Sequence, residues 1–362
     1  MIFGIPKELP RFKEIPEFRV GLSPMGVKEL VEYQAQVYVE SGAGGGVGFS
    51  DMDYEKAGAS IVYSKEEAYK RADVVLKVRP PQGRKEYKLI KEGQTLTGFF
   101  HLVTAPQELL QALTAKKNTV IGYEIIQEAD GKLPVVIPMS EIAGKLAVQI
   151  AGRLLESPSG GRGILLGGIP GIPPAEVVIL GGGTLGRNAA KSFAGIGSNV
   201  YVMDIDRDRL KIIADELGGR VTTLFATKHN IEKLVRFADV LIGAVLVAGR
   251  RAPILVTREM VKSMRKGTVI LDFSIDQGGC VETAKIAPSG KFIYNVDGVI
   301  HFCMPNATTL VARTATHAMT GAIIPYLKYL VELGLTKALQ ECPGVKRGIY
   351  VNKGRVEKGY MK

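Results

Sequence analysis

The sequence predicts an α/β protein with two doubly wound, mainly parallel sheets. Three observations carry this. Short β-rich runs alternate with helical patterns along the chain, which is how parallel sheets with crossover helices are built. The stretch 177–204 sets a strand, a glycine cluster, a helix, a second strand and an acid in that order. The length, 362 residues, suits two domains with sizeable cores.

The stretch 177–204 organises the rest. Residues 177–180, Val-Val-Ile-Leu, read as a buried parallel strand. Gly181, Gly183 and Gly186 follow as G-x-G-x-x-G, with Thr184 and Leu185 before the last glycine. Gly181 permits a sharp turn, Gly183 lets a pyrophosphate approach the backbone, and Gly186 lets a helix lie close to the sheet. Leu185, Ala189, Ala190 and Phe193 fall at helical spacing. A helix N-terminus there offers unpaired N–H groups and a positive dipole end to phosphates. The second strand, 200–203, ends in Asp204, 23 residues after Gly181. A carboxylate at that point accepts hydrogen bonds from an adenosine ribose and repels a 2′-phosphate, which favours NAD over NADP. Arg207 and Arg209 follow closely and keep NADP open.

Ahead of this unit, residues 3–6, 37–39, 74–78, 95–100 and 120–124 read as strands, and 42–48 as a glycine-rich loop. Ser23 and Pro24 precede the pattern at 26–31 as N-cap and first helical position. Ligands of such sheets sit beyond the carboxyl ends of the strands. Lys77 and His101 lie there and are candidate site residues. Each has an ordinary alternative: a lysine snorkelling to the surface, and a histidine packed under Phe99 and Phe100. In 139–155, Ile142, Leu146, Ile150 and Leu154 recur at spacing four, predicting a long helix that bridges the domains. The Gly/Pro-rich run 157–174 reads as an ordered loop. Strands follow at 237–245, after a helix end, and at 268–273, which runs into Ser274-Ile275-Asp276-Gln277-Gly278-Gly279. Residues 308–335 are helical and return the chain to the first domain. The expected division is 1–134 with 311–362, and 135–310 as the dinucleotide domain.

Composition narrows the function classes. No apolar run is long enough to cross a bilayer. The N-terminus lacks a signal-peptide layout, so the cytoplasm is expected. Cys280, Cys303 and Cys342 form neither a metal-spacing motif nor a disulfide framework, and no metal site is expected. About half of the net charge of +11 lies in 344–362, where six cations, including Lys358 and Lys362, face Glu357. The remainder is diffuse and lacks an aromatic-basic stripe, which argues against nucleic-acid binding. A positive field still draws in small anions such as carboxylates and NAD.

Six short motifs add a resemblance. Gly4-Ile5-Pro6-Lys7-Glu8, Glu17-Phe18-Arg19-Val20, Leu76-Lys77-Val78, His101-Leu102, Pro138-Met139-Ser140-Glu141 and Asp276-Gln277-Gly278-Gly279 occur in this order over nearly the whole chain. Together they resemble the alanine dehydrogenase family, a relative of the soluble α portion of proton-translocating nicotinamide nucleotide transhydrogenase. The resemblance implies reversible oxidative deamination: L-alanine, NAD and water give pyruvate, ammonium and NADH. It implies two Rossmann-like domains with a cleft between them, joined by long helices, in a homo-oligomer, a hexamer or a dimer.

It also implies roles. Arg19 is the clamp for a substrate carboxylate. Lys77 stabilises the carbinolamine oxygen and polarises the keto group in reverse. His101 accepts the proton of the attacking water. Asp276 orients water and ammonia or shares the proton traffic, and which of the two is the main base stays open. Ser140 lies near the nicotinamide or phosphates, and Asp204 at the ribose. Val245, Leu246, Phe273, Ser274 and Ile275 line the cofactor cleft, with Asn306 by the nicotinamide end. Arg209 stands where Lys or Arg is typical. Arg19, Lys77, His101 and Asp276 are thus expected to converge beside a nicotinamide ring.

The chain also departs from the family pattern. Residues 9–16 lengthen the connection before Arg19. Asn306-Ala307-Thr308 and Ala312-Arg313-Thr314 stand for the usual Asn-Met-Pro and Pro-Arg-Thr, and Ala226 for a serine. These changes raise an alternative, a related dehydrogenase or imine reductase acting on another amino acid or an opine-like compound. A transhydrogenase NAD-binding component is a further alternative, opposed by Asp276, Cys280 and the lack of a terminal hydrophobic anchor. The coexistence of four polar site residues argues against a non-catalytic NAD sensor.

Overall fold

The computed structural model describes residues 1–10, 17–247, 250–286 and 291–357. The chain divides into two compact units, Met1–Met139 with Thr308–Lys362, and Ser140–Ala307. The sequence reading set these divisions at 134 and 310. The strands are β1 (Ile2–Ile5), β2 (Gln36–Glu40), β3 (Ser60–Val62), β4 (Val74–Leu76), β5 (Thr95–Gly98) and β6 (Thr119–Gly122). Then come β7 (Glu176–Leu180), β8 (Asn199–Asp204), β9 (Thr222–Phe225), β10 (Val240–Gly243), β11 (Val269–Asp272), β12 (Ile293–Val296) and β13 (Val299–Phe302), and last β14 (Ile349–Asn352) and β15 (Arg355–Val356).

The first unit's sheet runs β15-β14-β6-β5-β4-β1-β2-β3. Its strands from β3 to β6 are parallel, and β14 and β15 add antiparallel to the edge. The second unit's sheet runs β12-β13-β11-β10-β7-β8-β9. Its strands from β9 to β13 are parallel, and β12 is antiparallel. Counted from its own first strand, each parallel portion has the order 3-2-1-4-5-6. The order reverses beside the first strand, where doubly wound sheets open a ligand crevice.

The central strands are apolar because helices cover both faces. Every position of β4, β5, β6, β10 and β11 is buried. Ser23 caps the helix Pro24–Glu32 by accepting from the Gly26 N–H, with Pro24 in the first turn. The helix Val136–Leu155 starts three residues before the expected 139. The loop after it holds a short 3₁₀ turn, Ser157–Ser159, and an antiparallel bridge between Ile169 and Ile172. The helical return is a 3₁₀ turn, Ala307–Val311, and then Ala312–Glu341, broken at Gly334 where φ is 69°.

The basic tail contributes a strand that the sequence reading did not include. Residues 349–352 form β14, which pairs with β6, and Tyr350 and Val351 enter the core with Phe100, Leu102 and Ile125. Lys358 and Lys362 lie outside the described residues. Phe100 and Leu102 flank His101 and are both buried. Burial of such a side chain stabilises by about 1.5–3 kcal/mol, so two anchors pin the intervening histidine. The three cysteines are buried thiols. Among the described residues no helix is long and apolar enough to cross a membrane.

Candidate active site

In the first unit the candidate residues gather at the carboxyl edge of the sheet. Lys77 follows β4 directly, and its backbone N–H still bonds Thr97 across the ladder at 3.0 Å. Its side chain does not snorkel. The amine is fully buried, 2.9 Å from Glu86 Oε1 and 3.2 Å from Glu8 Oε2. Glu8 Oε1 accepts from the Val78 N–H at 2.7 Å. Glu86 accepts from the Tyr69 hydroxyl at 3.0 Å and the Gln82 N–H at 2.5 Å. Burial alone would pull the Lys77 amine down, but the charges of Glu8 and Glu86 outweigh it and hold the amine above its usual value. Burial holds Glu8 above the ordinary carboxylate value. Burial pushes Glu86 the same way, but Lys77 and Lys65 overcome it and hold Glu86 low. Lys77 is therefore a fixed cation, unsuited to act as a base.

Arg19 is buried and clamped. Its Nε and Nη2 each donate to Glu17 at 2.7 Å, and its Nη1 donates to the Thr308 hydroxyl at 2.9 Å. The bidentate pair expected with a substrate carboxylate is thus made with Glu17 on this edge of the guanidinium. The reason is local, because Glu17 stands only two residues before Arg19. Arg19 and Arg79 hold Glu17 below its ordinary value against its burial. Thr308 belongs to the stretch that departs from the family pattern.

β5 stops at Gly98, so His101 stands three residues past the strand rather than at its end. Its φ is 45°, in the left-handed region. The ring stacks on Phe99 at 6.2 Å and 15°. The Glu124 carboxylate accepts the N–H groups of Phe100, at 3.2 Å, and of His101, and its Oε1 lies 3.8 Å from His101 Nδ1. The neighbourhoods join. Glu17 and Glu8 are within electrostatic reach, and Tyr123, which feels the charge of Glu8, meets Phe99 edge-on at 5.5 Å. Arg19, Lys77 and His101 thus share one region of the first unit.

The sequence reading missed the four carboxylates Glu8, Glu17, Glu86 and Glu124. The first two adjoin Arg19 or stand within a quoted motif, and Glu124 closes a strand that was read. Glu86, on the helix Gly83–Leu89, carries no sequence signal.

In the second unit Gly181 and Gly186 have the backbone geometry that their spacing implies. Gly181 turns out of β7 at φ 107°. A Cβ on Gly186 would stand 1.8 Å from the Gly181 carbonyl oxygen, so this contact needs glycine. A Cβ on Gly183 would meet nothing within 4 Å, so the loop borders open space there. Gly183 caps the helix Thr184–Gly195 without a side-chain bond, and Thr184 and Leu185 form the first turn. Asp204 Oδ2 accepts from the Gly182 N–H at 2.6 Å, and Arg209 Nη1 lies 3.7 Å from the same oxygen. These residues fit a dinucleotide: open backbone N–H groups for the pyrophosphate, and an acid beside them. Ser140 lies one helical turn before Gly144, whose Cβ would stand 2.5 Å from the Leu185 carbonyl oxygen. Ser140 is therefore on the face that packs against the helix Thr184–Gly195.

The loop after β11 carries Asp276. Its Oδ2 accepts from the Asn306 N–H at 2.9 Å, and Asn306 holds φ 53°. Ser274 Oγ accepts from the Val245 N–H at 3.0 Å. The Phe273 N–H bonds the Gly243 carbonyl at 3.0 Å. Leu246 is exposed, whereas the Ile275 side chain belongs to the core. Asp272, which the sequence reading passed over, staples this loop. Its carboxylate accepts from the N–H groups of Ser274 at 2.9 Å, Cys280 at 2.8 Å and Val281 at 3.1 Å. Burial holds Asp272 above the ordinary carboxylate value despite these bonds. Among the described residues no group of three or more His, Cys, Asp or Glu could hold a metal.

The chain matches the family models Alanine dehydrogenase/PNT, N-terminal domain, over residues 4–143 and Alanine dehydrogenase/PNT, C-terminal domain, over residues 147–359. It is 43% identical to an alanine dehydrogenase of Methanococcus maripaludis, covering 98% of this chain and 94% of that protein. An alanine dehydrogenase of Halomonas elongata is 42% identical with the same coverage. A solved L-alanine dehydrogenase superimposes with TM-score 0.90 at 44% identity, over 98% of this chain and 96% of the other. A transhydrogenase structure from Sinorhizobium meliloti follows with TM-score 0.81 at 26% identity, over 99% and 100%. Fold, motif order and full-length similarity agree: the chain belongs to the alanine dehydrogenase/PNT family.

Proposed function

We propose that this chain catalyses the reversible, NAD-dependent oxidative deamination of L-alanine to pyruvate and ammonium. The observation that carries the reading is Lys77, a buried ammonium fixed between two carboxylates in the same region as Arg19 and His101. Amine oxidation through a carbinolamine needs such a permanent positive charge at the oxygen that gains and loses electron density.

Gly181, Gly183, Thr184, Leu185 and Gly186 hold the pyrophosphate, and Asp204 with Arg209 holds the adenosine ribose. Ser140, Val245, Leu246, Phe273, Ser274, Ile275 and Asn306 bound the rest of the cofactor. NAD, when bound there, would supply the acceptor for the hydride that the substrate loses. Arg19, held by Glu17 and Thr308, orients the substrate carboxylate. His101 takes a proton from water as the oxygen adds to the imine carbon. Lys77 stabilises the oxygen as ammonia leaves and pyruvate forms. Asp276, held by the Asn306 N–H, orients the water and the departing ammonia. The sum is alanine, NAD⁺ and water to pyruvate, ammonium, NADH and a proton.

The names of the most similar relatives support alanine over an opine-like substrate, and the transhydrogenase resemblance is weaker in identity. Steady-state rates with a panel of amino acids and 2-oxo acids test the reading, which is lost if alanine and pyruvate are among the slowest. The family resemblance also supports a cytoplasmic homo-oligomer, a hexamer or dimer. Light scattering and cell fractionation check those two points.

A further inference from the structure

Glu124 is a buried carboxylate that the reaction does not call for directly. It stands two residues past β6, in a 3₁₀ turn, Tyr123–Ile125. Every donor around it has a geometric purpose. The consecutive N–H groups of Phe100 and His101 both point at it. Two successive N–H groups aimed at one anion form a nest, and this nest favours the left-handed φ of 45° at His101. The Thr104 N–H bonds the His101 carbonyl at 2.9 Å and closes the same turn. Tyr350, from β14 at the far end of the chain, donates its hydroxyl to Glu124 Oε1 at 2.9 Å. That same oxygen lies 3.8 Å from His101 Nδ1. The ring is held on its flat side by Phe99.

We propose that Glu124 is the positioning residue for His101: its carboxylate builds the turn that presents the histidine and faces Nδ1, so that Nε2 is the nitrogen that exchanges protons with substrate and water. The proposal rests on the reading of His101 as the acid–base group. An imidazole needs one defined tautomer to accept a proton at one nitrogen, and a carboxylate facing the other nitrogen fixes it. Glu124 thus touches no reacting atom and acts through His101. Tyr350 fixes Glu124 in turn, which gives the C-terminal strand a part in the site.

The test uses the full-length enzyme with NADH, pyruvate and ammonium. Glu124→Gln keeps the size and one acceptor oxygen but removes the charge that faces Nδ1. Glu124→Asp restores the charge at shorter reach. Nitrogen-15 NMR of the neutral imidazole reads the tautomer, with the His101 signal assigned by its loss in His101→Ala. In the wild type Nδ1 carries the proton. In Glu124→Gln the population moves towards Nε2–H, and kcat falls by about 100-fold. KM for pyruvate and the NADH affinity stay within about threefold, since acid–base positioning acts on the chemical step. Glu124→Asp recovers part of the loss. If Glu124→Gln does not fold, Tyr350→Phe carries the test and must move the tautomer in the same direction.

An unchanged tautomer and unchanged kcat in a folded Glu124→Gln enzyme, with His101→Ala inactive, overturn this proposal alone. Wild-type turnover by His101→Ala overturns both the acid–base reading and the proposal that rests on it.

Discussion

In the first sheet β1 runs into Pro6-Lys7-Glu8, and in the second β7 runs into Gly181-Gly182-Gly183. The strand order around both is the same. The next strand in each unit even ends alike, in an acid that secures the loop. Glu40, the last residue of β2, accepts the Lys7 N–H at 2.7 Å, and Asp204, the last of β8, accepts the Gly182 N–H at 2.6 Å. What differs is the filling of the switch point. The second unit leaves it to backbone, with an open Gly183. The first fills it with side-chain charge, Glu8 against Lys77, both buried. A topology thus supplies the location, and the residues at the end of its first strand decide the chemistry. Bare backbone suits a pyrophosphate, whereas a small carboxylate substrate is met by fixed cations.

The strongest way to break this comparison is to discharge the first switch point. Lys77→Met leaves Glu8 buried without its cation and Glu86 with only the more distant Lys65. It should destabilise the protein by about 3–5 kcal/mol and cut turnover by at least about 1000-fold. Adding Glu8→Gln and Glu86→Gln should recover stability but not activity, as read by urea denaturation and steady-state rates. Wild-type stability of the single variant would contradict the ion cluster. His101→Ala and Asp276→Ala should each lower kcat by at least about 100-fold with little change in NADH affinity. Stopped-flow rates and fluorescence titration separate the two quantities.

The second switch point calls for the opposite test. Gly183→Ala adds a methyl group to open space, so the melting temperature should hold while NADH affinity falls by about tenfold, about 1.4 kcal/mol. Gly186→Ala instead forces the helix away from Gly181 and should cost about 1–3 kcal/mol of stability. Equal melting temperatures for the two would refute the assigned roles. Asp204→Ala should raise the rate with NADP relative to NAD, measured as a ratio of kcat/KM values.

The smallest expected effect is on pH. Burial lowers His301 of the second unit below its usual value of 6.5, with Val299 and Asp297 opposing. Below 6.5 the unfolded chain therefore takes up a proton that the folded chain resists. The contribution of His301 is full above that value and falls as pH drops through it. In the first unit, Glu17 and Glu86 lie below their usual 4.5, so their contribution is lost only under more acid conditions. Amide exchange at decreasing pH should show β13 loosening before β4, and His301→Gln should flatten the earlier phase.

How much of this was legible depended on sequence distance. The dinucleotide fingerprint could be read because strand, glycines, helix, second strand and acid all lie within 177–204. Ser23 and Pro24 at a helix start were equally local. The places of Lys77 and His101 near strand ends were legible as well, although the strands stop earlier than expected. Their partners were not. Glu124 meets Tyr350 across 226 residues, and Arg19 meets Thr308 across 289. The β14 pairing was missed for the same reason, since a strand far along the chain acquires its neighbour only when the sheet is assembled.

By itself, then, the sequence determined the α/β class, the open glycine turn and the residue types able to handle an amino acid. Local conformational rules act within a few residues and leave their mark in the order of letters. Only the tertiary structure decided that Lys77 is buried rather than snorkelling, that Glu17 takes one edge of Arg19, and that Glu124 stands behind His101. Those outcomes depend on which charges are removed from water together, and packing alone sets that.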